Sequence, residues 1–327
     1  KLKETLVDVK PNVMSAVPRV YEKIYSAVHD KVARAPFHRK VIFTWAVNMG
    51  ARMALCHQQQ RKPSLMLKKS YKLADKLVLS KLREILGGQI KFMPCGGAKL
   101  DASIGRFFHA IGVNVKLGYG MTETCGIITS VSADFFVDKP DSAGPAMPNF
   151  EAKCVNELGE TVPQGEVGEL WVKGSSVIKG YINRPEATAE SITDGWLHTG
   201  DIARIDKDGF IFIVDRKKDM VLRGGENVYC AEVESTLYRH PAVAECSVFG
   251  VPDDRLGEEV GAAVVLKPGE TLTADALREH CAATMAKHKV PRYIWFLSAL
   301  PRNASGKFVK RDLKEQLTRQ LDNAQVS

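Results

Sequence analysis

The chain has 327 residues, of which 45% are hydrophobic and 26% are charged, and its formal net charge is +8. These values are ordinary for a folded globular protein with room for two domains, and they exclude an intrinsically disordered chain. A membrane-spanning helix needs roughly 18 to 20 consecutive apolar residues. Asn48 and Arg52 interrupt the long apolar stretch at 41–55, so the sequence predicts no integral membrane protein.

The positive charge is concentrated in the first quarter of the chain. Residues 1–90 hold 18 Lys and Arg against 6 Asp and Glu, a net charge of +12, whereas residues 91–327 hold 28 against 32, a net charge of −4. Within residues 65–86, lysines alternate with apolar residues such as Leu73 and Leu77, which predicts an amphipathic helix with buried leucines and a solvated lysine face. Its lysines are Lys68, Lys69, Lys72, Lys76 and Lys81. Peripheral contact of this face with an anionic membrane stays open as the alternative. A nucleic-acid partner is not expected, because interleaved aromatic residues and any recognised module are missing.

Seven cysteines are spread over the chain without a Cys-x-x-Cys pair or a nearby histidine pattern. An odd number with this spacing supports neither a zinc site nor a disulfide framework. Because disulfides are rare in a reducing cytosol, we expect buried free thiols in a cytoplasmic protein. The cysteines are Cys56, Cys95, Cys125, Cys154, Cys230, Cys246 and Cys281.

Helices are predicted first along the chain, because apolar residues recur at helical spacing through residues 18–86. Two short apolar runs follow, at 90–93 and 113–117; each leads to a glycine segment, and a helix near 103–110 separates them. This order is typical of a parallel sheet whose loops line a ligand crevice at the carboxyl ends of the strands.

The rest of the chain shows two further sequence patterns. After residue 136, short alternating runs separated by turn residues predict a small antiparallel sheet or partial barrel, with a hairpin turn at Asp208-Gly209. The last third predicts a compact α+β domain with helices at 231–238, 274–286 (capped by Thr273) and 310–321 and strands at 244–250, 261–266 and 293–297. The predicted fold class is therefore α/β, and the predicted parts are an α/β part at 1–136, a β-rich subdomain of the same domain at 137–217 and a separate α+β domain at 218–327.

Residues 118–123 read Gly-Tyr-Gly-Met-Thr-Glu and are suited to phosphate chemistry. Gly118 and Gly120 have no side chain to block a close approach of the backbone. The hydroxyl of Thr122 can donate to a phosphate oxygen, and the carboxylate of Glu123 can hold Mg²⁺, which usually bridges to nucleotide phosphates. Alone the signal is weak, since Gly-x-Gly is a common turn and the third glycine of a dinucleotide fingerprint is absent.

Two later segments hold single groups that also suit a nucleotide. Asp201 ends the sequence Trp-Leu-His-Thr-Gly-Asp just before a predicted strand, and its two oxygens match the vicinal hydroxyls of a ribose. Lys307 ends Pro-Arg-Asn-Ala-Ser-Gly-Lys, where a mobile ammonium can offset charge that develops on phosphate oxygens. The ordinary alternatives are a structural carboxylate and a solvated loop lysine. His198 has no triad partners nearby in sequence, and we interpret it as structural.

In this order, the segments resemble the later motifs of the adenylate-forming (AMP-binding) acyl-CoA synthetases. Residues 119–123 are similar to the family's Tyr-Gly-x-Thr-Glu motif, and residues 95–100 to its Gly-Gly-Ala-Pro-Leu loop. Lys99 stands in place of the proline, which leaves that loop less rigid. The motifs that follow in the family are matched by residues 198–201, 215–218 and 301–307.

The resemblance implies a role for each matched residue. It implies ATP or AMP binding by Gly96, Gly97, Ala98, Gly118, Tyr119, Gly120, Met121, Thr122, Asp201 and Arg216, catalysis by Thr122, Glu123 and Lys307, and Mg²⁺ binding by Glu123. It also implies a hinge at Lys218, about which a mobile C-terminal domain turns, and a CoA-channel loop at Gly224, Gly225 and Glu226. A basic linker and a tight turn remain the alternatives for these last two segments.

The substrate is suggested by the first third of the chain. Residues 15–25, Ser-Ala-Val-Pro-Arg-Val-Tyr-Glu-Lys-Ile-Tyr, look like the long-chain branch of the family, the fatty acyl-CoA synthetases. The resemblance implies that a fatty acid and ATP form an acyl-adenylate and pyrophosphate, and that the acyl group then passes to CoA. The alternatives are a carboxylate-activating domain that serves a carrier protein and a non-catalytic nucleotide-binding module.

One motif of the family has no counterpart here, the Ser/Thr/Gly-rich loop ending in lysine that grips the triphosphate. The chain also begins at Lys1 without a secretion signal. We therefore expect a C-terminal fragment of a longer enzyme. By itself it is predicted to be inactive or nearly so, because bound ATP would lose many hydrogen-bond donors.

Overall fold

The structure is a computed structural model, and it describes residues 2–97, 100–132, 139, 141–301 and 309–325. The chain divides into two compact units, the first comprising Lys1–Thr199 and Arg204–Ile213 and the second Gly200–Ala203 and Val214–Ser327. The three-part division predicted at residues 136 and 217 stays a prediction.

The first unit begins with helices, as predicted. They are α1 (Leu2–Val9), α2 (Pro18–Ala33), α3 (Phe37–Gln58), α4 (Leu65–Ala74) and α5 (Ser80–Glu84), with a π-helical turn at Asp75–Leu79 between the last two. Pro18 suits the first turn of α2 because its fixed φ is helical and its missing N–H has no partner there anyway. Ser64 caps α4 by accepting a hydrogen bond from the N–H of Leu67 at 3.2 Å. Among the described residues, no helix is both long and apolar enough to cross a bilayer.

The apolar side of α4 and the turn after it differs from the prediction. Leu73 and Leu77 were expected to be buried, but they are 52% and 43% exposed. The buried stripe instead runs through Leu67, Ala74 and Leu79, which are joined by half-buried residues at three- and four-residue spacing. The two leucines therefore share the exposed side with the five predicted lysines, all of which are exposed.

A three-stranded sheet packs against these helices. Its strands are β1 (Phe92–Cys95), β2 (Asn114–Met121) and β3 (Gly126–Ser132), with α6 (Ala102–Ala110) between the first two. β1 and β2 are parallel, as predicted, and β3 is antiparallel to β2. Asp101 caps α6 by accepting from the N–H of Ser103 at 2.7 Å.

Tyr21 anchors the sheet to the helical layer. It lies in the segment that resembles the long-chain branch, and it is fully buried. Its hydroxyl donates to the carbonyl oxygens of Met93 and Pro94 in β1, each at 3.1 Å, and its ring meets Phe108 edge to face at 5.2 Å. This contact fixes the strand that leads into the first glycine segment.

A six-stranded sheet follows the three-stranded one in the chain. Its strands are β4 (Gly144–Pro145), β5 (Phe150–Val155), β6 (Val167–Gly174), β7 (Ile192–Thr193), β8 (Trp196–Ile205) and β9 (Phe210–Arg216), and α7 spans Pro185–Ser191. The order is β4-β9-β8-β6-β5, with β7 at the side of β8. The hairpin at Asp208-Gly209 is confirmed: Gly209 has φ +80°, and Asp206 Oδ1 accepts from the N–H of Asp208 at 2.9 Å and of Phe210 at 3.0 Å.

The second unit holds an α+β domain, as predicted. Its elements are β10 (Val221–Arg223), β11 (Glu226–Val228), α8 (Cys230–Tyr238), β12 (Val243–Asp253), β13 (Gly257–Leu266), α9 (Ala274–Ala282), β14 (Tyr293–Phe296) and α10 (Lys310–Gln325). The sheet order is β11-β10-β13-β12, and β14 is parallel to β13. Thr273 caps α9, as predicted, by accepting from the N–H of Ala276 at 3.2 Å.

All seven cysteines lie among the described residues and are free thiols. Five are buried and Cys56 is half-buried, as the composition suggested. Cys125 is exposed, contrary to expectation, because it ends the turn at Thr122–Thr124 in a left-handed conformation, with φ +53°.

Candidate functional site

The two glycine segments of the first unit lie side by side. Parallel pairing places Cys95 opposite Leu117, so Gly96, which follows the end of β1, lies beside Gly118 of β2. A Cβ on Gly96 would lie 3.2 Å from the carbonyl oxygen of Gly118, and Gly97 has φ +82°. Ala98, the third predicted residue of this loop, lies outside the described residues.

The second glycine segment was predicted as a loop, and that prediction is wrong. Residues from Gly118 to Met121 continue strand β2, because β3 folds back and pairs with them up to Met121 opposite Gly126. A Cβ on Gly120 would lie 2.1 Å from the carbonyl oxygen of Gly126. Glycine is therefore required at 120 by the close approach of β3, and Tyr119 lies beside it on β2.

A single 3₁₀ turn, Thr122–Thr124, follows β2 and carries the predicted phosphate and metal residues. Thr124 is buried, and its hydroxyl donates to the carbonyl oxygen of Met121 at 2.9 Å while accepting from the N–H of Met121 at 3.2 Å. Thr122 is exposed and Glu123 is half-buried. Thr124 was not predicted, although threonine hydroxyls often bond to backbone groups a few residues away and so favour turns.

Glu123 is held in place from two directions. Its side-chain Oε1 accepts from the hydroxyl of Tyr181 at 3.0 Å, and its backbone oxygen accepts from the N–H of Ile178 at 2.8 Å. Burial, and then the bond to this carboxylate, raise the pKa of Tyr181. A carboxylate has about four acceptor positions, so the bond orients the group and leaves capacity for a cation. Tyr181 was not predicted, because nothing in the sequence links it to a residue 58 positions away.

A Mg²⁺ site at Glu123 fits the donor set. Among the described residues there is no cluster of three or more His, Cys, Asp or Glu side chains that could hold a metal ion. Mg²⁺ in nucleotide sites usually takes one or two protein carboxylates, with substrate phosphates and water as the other ligands. A single oriented carboxylate next to an exposed hydroxyl is compatible with that kind of site.

In the second unit, the structure brings Asp201 and Arg216 together. Asp201 is 7% exposed, and its Oδ1 lies 3.5 Å from Nε of Arg216, whose side chain is 60% exposed. Asp201 was predicted to precede a strand, but it lies inside β8, because pairing along this strand begins at Trp196. Its neighbour His198 stacks on Trp171 with ring centroids 3.8 Å apart, in agreement with a structural role.

The predicted hinge residue, Lys218, is exposed in a 3₁₀ turn at Lys217–Asp219. The second unit resumes at Val214, four residues before it. Asp215 is fixed between them: its Oδ1 accepts from the N–H of Arg216 at 2.8 Å and its Oδ2 from the N–H of Ala231 at 3.3 Å. Burial raises the pKa of Asp215. The hinge role stays a prediction.

The predicted CoA-channel loop is the tight turn between β10 and β11. Gly224 and Gly225 have φ +59° and +83°, and Arg223 pairs with Glu226 across the turn. Two central residues with positive φ define a type I′ hairpin turn, which favours glycine. The alternative of a tight turn therefore accounts for both glycines, and the CoA role of this loop stays a prediction.

The predicted adenylation residue, Lys307, lies outside the described residues. The chain on either side of it is described: the N–H of Val309 donates to the carbonyl oxygen of Pro301 at 3.1 Å, and α10 begins at the next residue, Lys310.

Comparison with known proteins shows that the chain belongs to the AMP-binding enzyme family. The family's sequence model for the AMP-binding enzyme matches residues 1–182, and that for its C-terminal domain matches residues 232–307. Because the first match covers more than half of the chain, membership does not depend on the short motifs alone.

Two curated relatives are 41% identical to the chain. One is 2-succinylbenzoate–CoA ligase from Bacillus cereus (strain ATCC 10987 / NRS 248), aligned over 244 residues, 73% of this chain and 50% of the relative. The other is feruloyl-CoA synthase from an Amycolatopsis species, aligned over 240 residues, 73% of this chain and 47% of the relative. The chain thus spans about half the length of the curated relatives it matches, and they are named for succinylbenzoate and ferulate rather than for long-chain fatty acids.

Solved structures show the same fold. The o-succinylbenzoate-CoA synthetase of Bacillus subtilis with its acyl-adenylate intermediate has a TM-score of 0.71 and 30% identity, covering 96% of this chain and 54% of that one. The same enzyme with ATP and a magnesium ion has a TM-score of 0.64 and 35% identity, covering 78% and 55%.

Proposed function

We propose that a full-length protein containing this chain is an ATP-dependent acid–thiol ligase, which activates a carboxylic acid as its acyl-adenylate and transfers the acyl group to CoA. The observation that carries the proposal is the turn at the end of β2, which carries an exposed Thr122 and a Glu123 carboxylate oriented by Tyr181. One curated relative is named as a CoA ligase, and one solved structure with this fold is named as a CoA synthetase.

Residues on and next to β1 and β2 would bind the base and phosphates. In this proposal Gly96, Gly118 and Tyr119 lie against adenine at the sheet edge, and the exposed hydroxyl of Thr122 donates to a phosphate oxygen. Glu123 would hold Mg²⁺, which, when bound, neutralises phosphate charge and favours attack of the carboxylate on the α-phosphate. The bond from Tyr181 keeps the Glu123 carboxylate in one orientation for that purpose.

The roles of ribose binding and of a catalytic cation fall to Asp201 and Lys307. Asp201 is a buried carboxylate held 3.5 Å from Nε of Arg216, and a carboxylate with this fixed position can accept from both ribose hydroxyls. Lys307 would offset the charge that develops during adenylation. Lys218 would serve as the hinge, and Gly224 to Glu226 would border the path of CoA in the second half-reaction.

For the carboxylic acid, we propose a long-chain fatty acid, on the resemblance of the first third of the chain to the long-chain branch. Aromatic acids are the second candidate, favoured by the names of the two relatives. A panel of fatty, cinnamic and benzoic acids, assayed by acid-dependent exchange of labelled pyrophosphate into ATP, separates the two. Exchange only with aromatic acids would refute the long-chain proposal and leave the ligase proposal standing.

The ligase proposal itself is tested by Glu123→Gln in the full-length protein. Removing the metal-binding charge should lower acid-dependent exchange by about 100-fold. Glu157→Gln, at an exposed position between β5 and β6, is the matched control and should be unchanged. Thioester formation from free CoA distinguishes the ligase from a domain that serves a carrier protein. Equal exchange in the two variants would refute the metal role of Glu123, and nucleotide binding without exchange for any acid would favour the non-catalytic module.

We also propose that the protein is cytoplasmic and touches anionic membranes through the outer side of α4. Leu65 and Met66 at its start are 78% and 80% exposed, next to the exposed Lys68 and Lys69, and apolar side chains among lysines suit an anionic interface. The full-length protein should co-sediment with phosphatidylglycerol vesicles more than with phosphatidylcholine vesicles, and Lys68→Glu with Lys69→Glu should abolish the difference. Equal sedimentation with both vesicle types would refute the contact.

A further inference from the structure

Lys310, the first residue of α10, has its side chain in the interior of the second unit. The side chain is 25% exposed, and its Nζ lies 2.8 Å from Oε1 of Glu234, which is 21% exposed. The same Oε1 accepts from the N–H of Val248 at 2.9 Å. Glu234 therefore connects three elements, namely its own helix α8, strand β12 and the start of α10.

Further negative and polar groups face the same ammonium. Lys310 interacts electrostatically with Asp215, two residues before the turn at Lys217–Asp219, and with Asp219, the last residue of that turn. Both aspartates are hydrogen-bonded to the beginning of α8. Asp215 accepts from the N–H of Ala231 at 3.3 Å, and the thiol of Cys230 donates to the carbonyl oxygen of Asp219 at 2.8 Å.

The balance of these interactions keeps the ammonium charged. Burial acts to lower the pKa of Lys310, but the carboxylates of Glu234 and Asp219 outweigh it, so the pKa lies above its ordinary value. A cation that is three-quarters buried and shared among several carboxylates is costly to move without its partners. The start of α10 is therefore fixed relative to the turn at Lys217–Asp219.

Lys310 also follows directly after residues 301–309, the segment that includes Lys307. That segment ends where the N–H of Val309 donates to the carbonyl oxygen of Pro301 at 3.1 Å, and Lys310 is the next residue. In the sequence, Lys307 is three positions before Lys310.

We propose that Lys310 is a positioning residue for adenylation, which fixes the start of α10, three positions after Lys307 in the chain, relative to the turn that holds Lys218. This inference rests on the proposed function of Lys307. A misplacement of about 1 Å can cost on the order of 100-fold in rate, and we expect a loss of that size when the charge of Lys310 is removed. In the proposed function Lys307 acts in adenylation, so thioester formation should be spared.

The test uses the full-length protein and measures the two half-reactions separately, adenylation by pyrophosphate exchange and thioester formation from supplied acyl-adenylate. Lys310→Met should lower kcat for adenylation by about 100-fold with little change in KM for ATP or in thioester formation. Lys310→Arg keeps the charge and should recover most of the rate. Lys314→Met, which removes a 2.9 Å ion pair to Glu258 elsewhere on α10, is the matched control and should behave as wild type.

Glu234→Gln should lower adenylation as well, and its effect should not add to that of Lys310→Met, because both remove the same interaction. Two results would overturn the inference: wild-type adenylation in Lys310→Met, or an equal loss of both half-reactions that Lys310→Arg does not recover, which indicates a structural role only. If Lys310→Met does not fold, Glu234→Gln and Lys310→Arg decide by the same criteria. Lys307→Ala keeps the two proposals apart, since full adenylation in that variant refutes the proposed function, whatever the Lys310 variants do.

Discussion

Tyr181→Phe removes one hydroxyl and keeps the aromatic ring, so it isolates the bond that orients the Glu123 carboxylate. The hydroxyl donates to Glu123 Oε1 at 3.0 Å. A hydrogen bond to a charged group contributes about 1.5–3 kcal/mol, and because both side chains are half-buried we take the lower end, about 1.5 kcal/mol. That value corresponds to roughly a tenfold change in an equilibrium constant.

If Glu123 holds Mg²⁺, this loss should appear in the metal dependence of the reaction. We expect the Mg²⁺ concentration for half-maximal pyrophosphate exchange to rise about tenfold in Tyr181→Phe, with the maximal rate at saturating Mg²⁺ largely kept. Tyr25→Phe, in the aromatic contact with Phe107, is the matched control. An unchanged Mg²⁺ dependence in a folded Tyr181→Phe protein would refute the metal role of the oriented carboxylate.

The pH dependence of this effect has a definite sign. The raised pKa of Tyr181 lies above the ordinary value of 10.0, so the phenol stays protonated and the bond is present below that pH. It is lost only as the pH rises through the raised pKa. The ratio between wild type and Tyr181→Phe should therefore be constant from about pH 7 to about pH 9, and a ratio that changes in this range would contradict the assigned donor.

The remaining predictions concern stability and the second half-reaction. Gly120→Ala should destabilise the protein by about 1–3 kcal/mol in urea unfolding, because its Cβ would lie 2.1 Å from the oxygen of Gly126. An unchanged urea midpoint would show that β3 moves away from β2 without loss of stability. Glu259→Gln should cost about 3 kcal/mol at neutral pH, since this buried carboxylate pairs with Arg223 at 2.7 Å. Burial opposes ionisation of Glu259, but Arg223 lowers its pKa below the ordinary 4.5, so the cost should shrink as the pH falls below that value, and a cost that grows in acid would contradict the pairing. Gly225→Ala should cost about 1 kcal/mol, because φ is +83° there, and should slow thioester formation more than adenylation; equal slowing would argue against a CoA path past this turn.

Local patterns in the sequence were sufficient to predict most of the helices, strands and turns. The Thr273 cap, the Asp208-Gly209 hairpin and the parallel pair that brings Gly96 to Gly118 all depend on residues close together in the chain or on alternating strand order. Turn residues and the hydrophobic period depend on a few neighbouring residues, and for that reason they can be recognised in the sequence alone.

Features that depend on distant partners could not be predicted. The continuation of β2 through Gly118 and Gly120 depends on β3, and strand pairing overrides the local preference of glycine for turns. Tyr181 meets Glu123, and Lys310 meets Glu234, across 58 and 76 positions respectively. Short sequence motifs do not predict such contacts, since they arise only when separate helices and strands pack together.

Acid-dependent exchange of pyrophosphate into ATP by full-length wild type and Lys307→Ala tests the central claim most directly. We expect wild type to exchange with at least one carboxylic acid and Lys307→Ala to lose on the order of 100-fold or more in rate, while both still bind ATP. Exchange in Lys307→Ala at the wild-type rate, or no exchange by wild type with any acid of the panel, would contradict an adenylate-forming ligase.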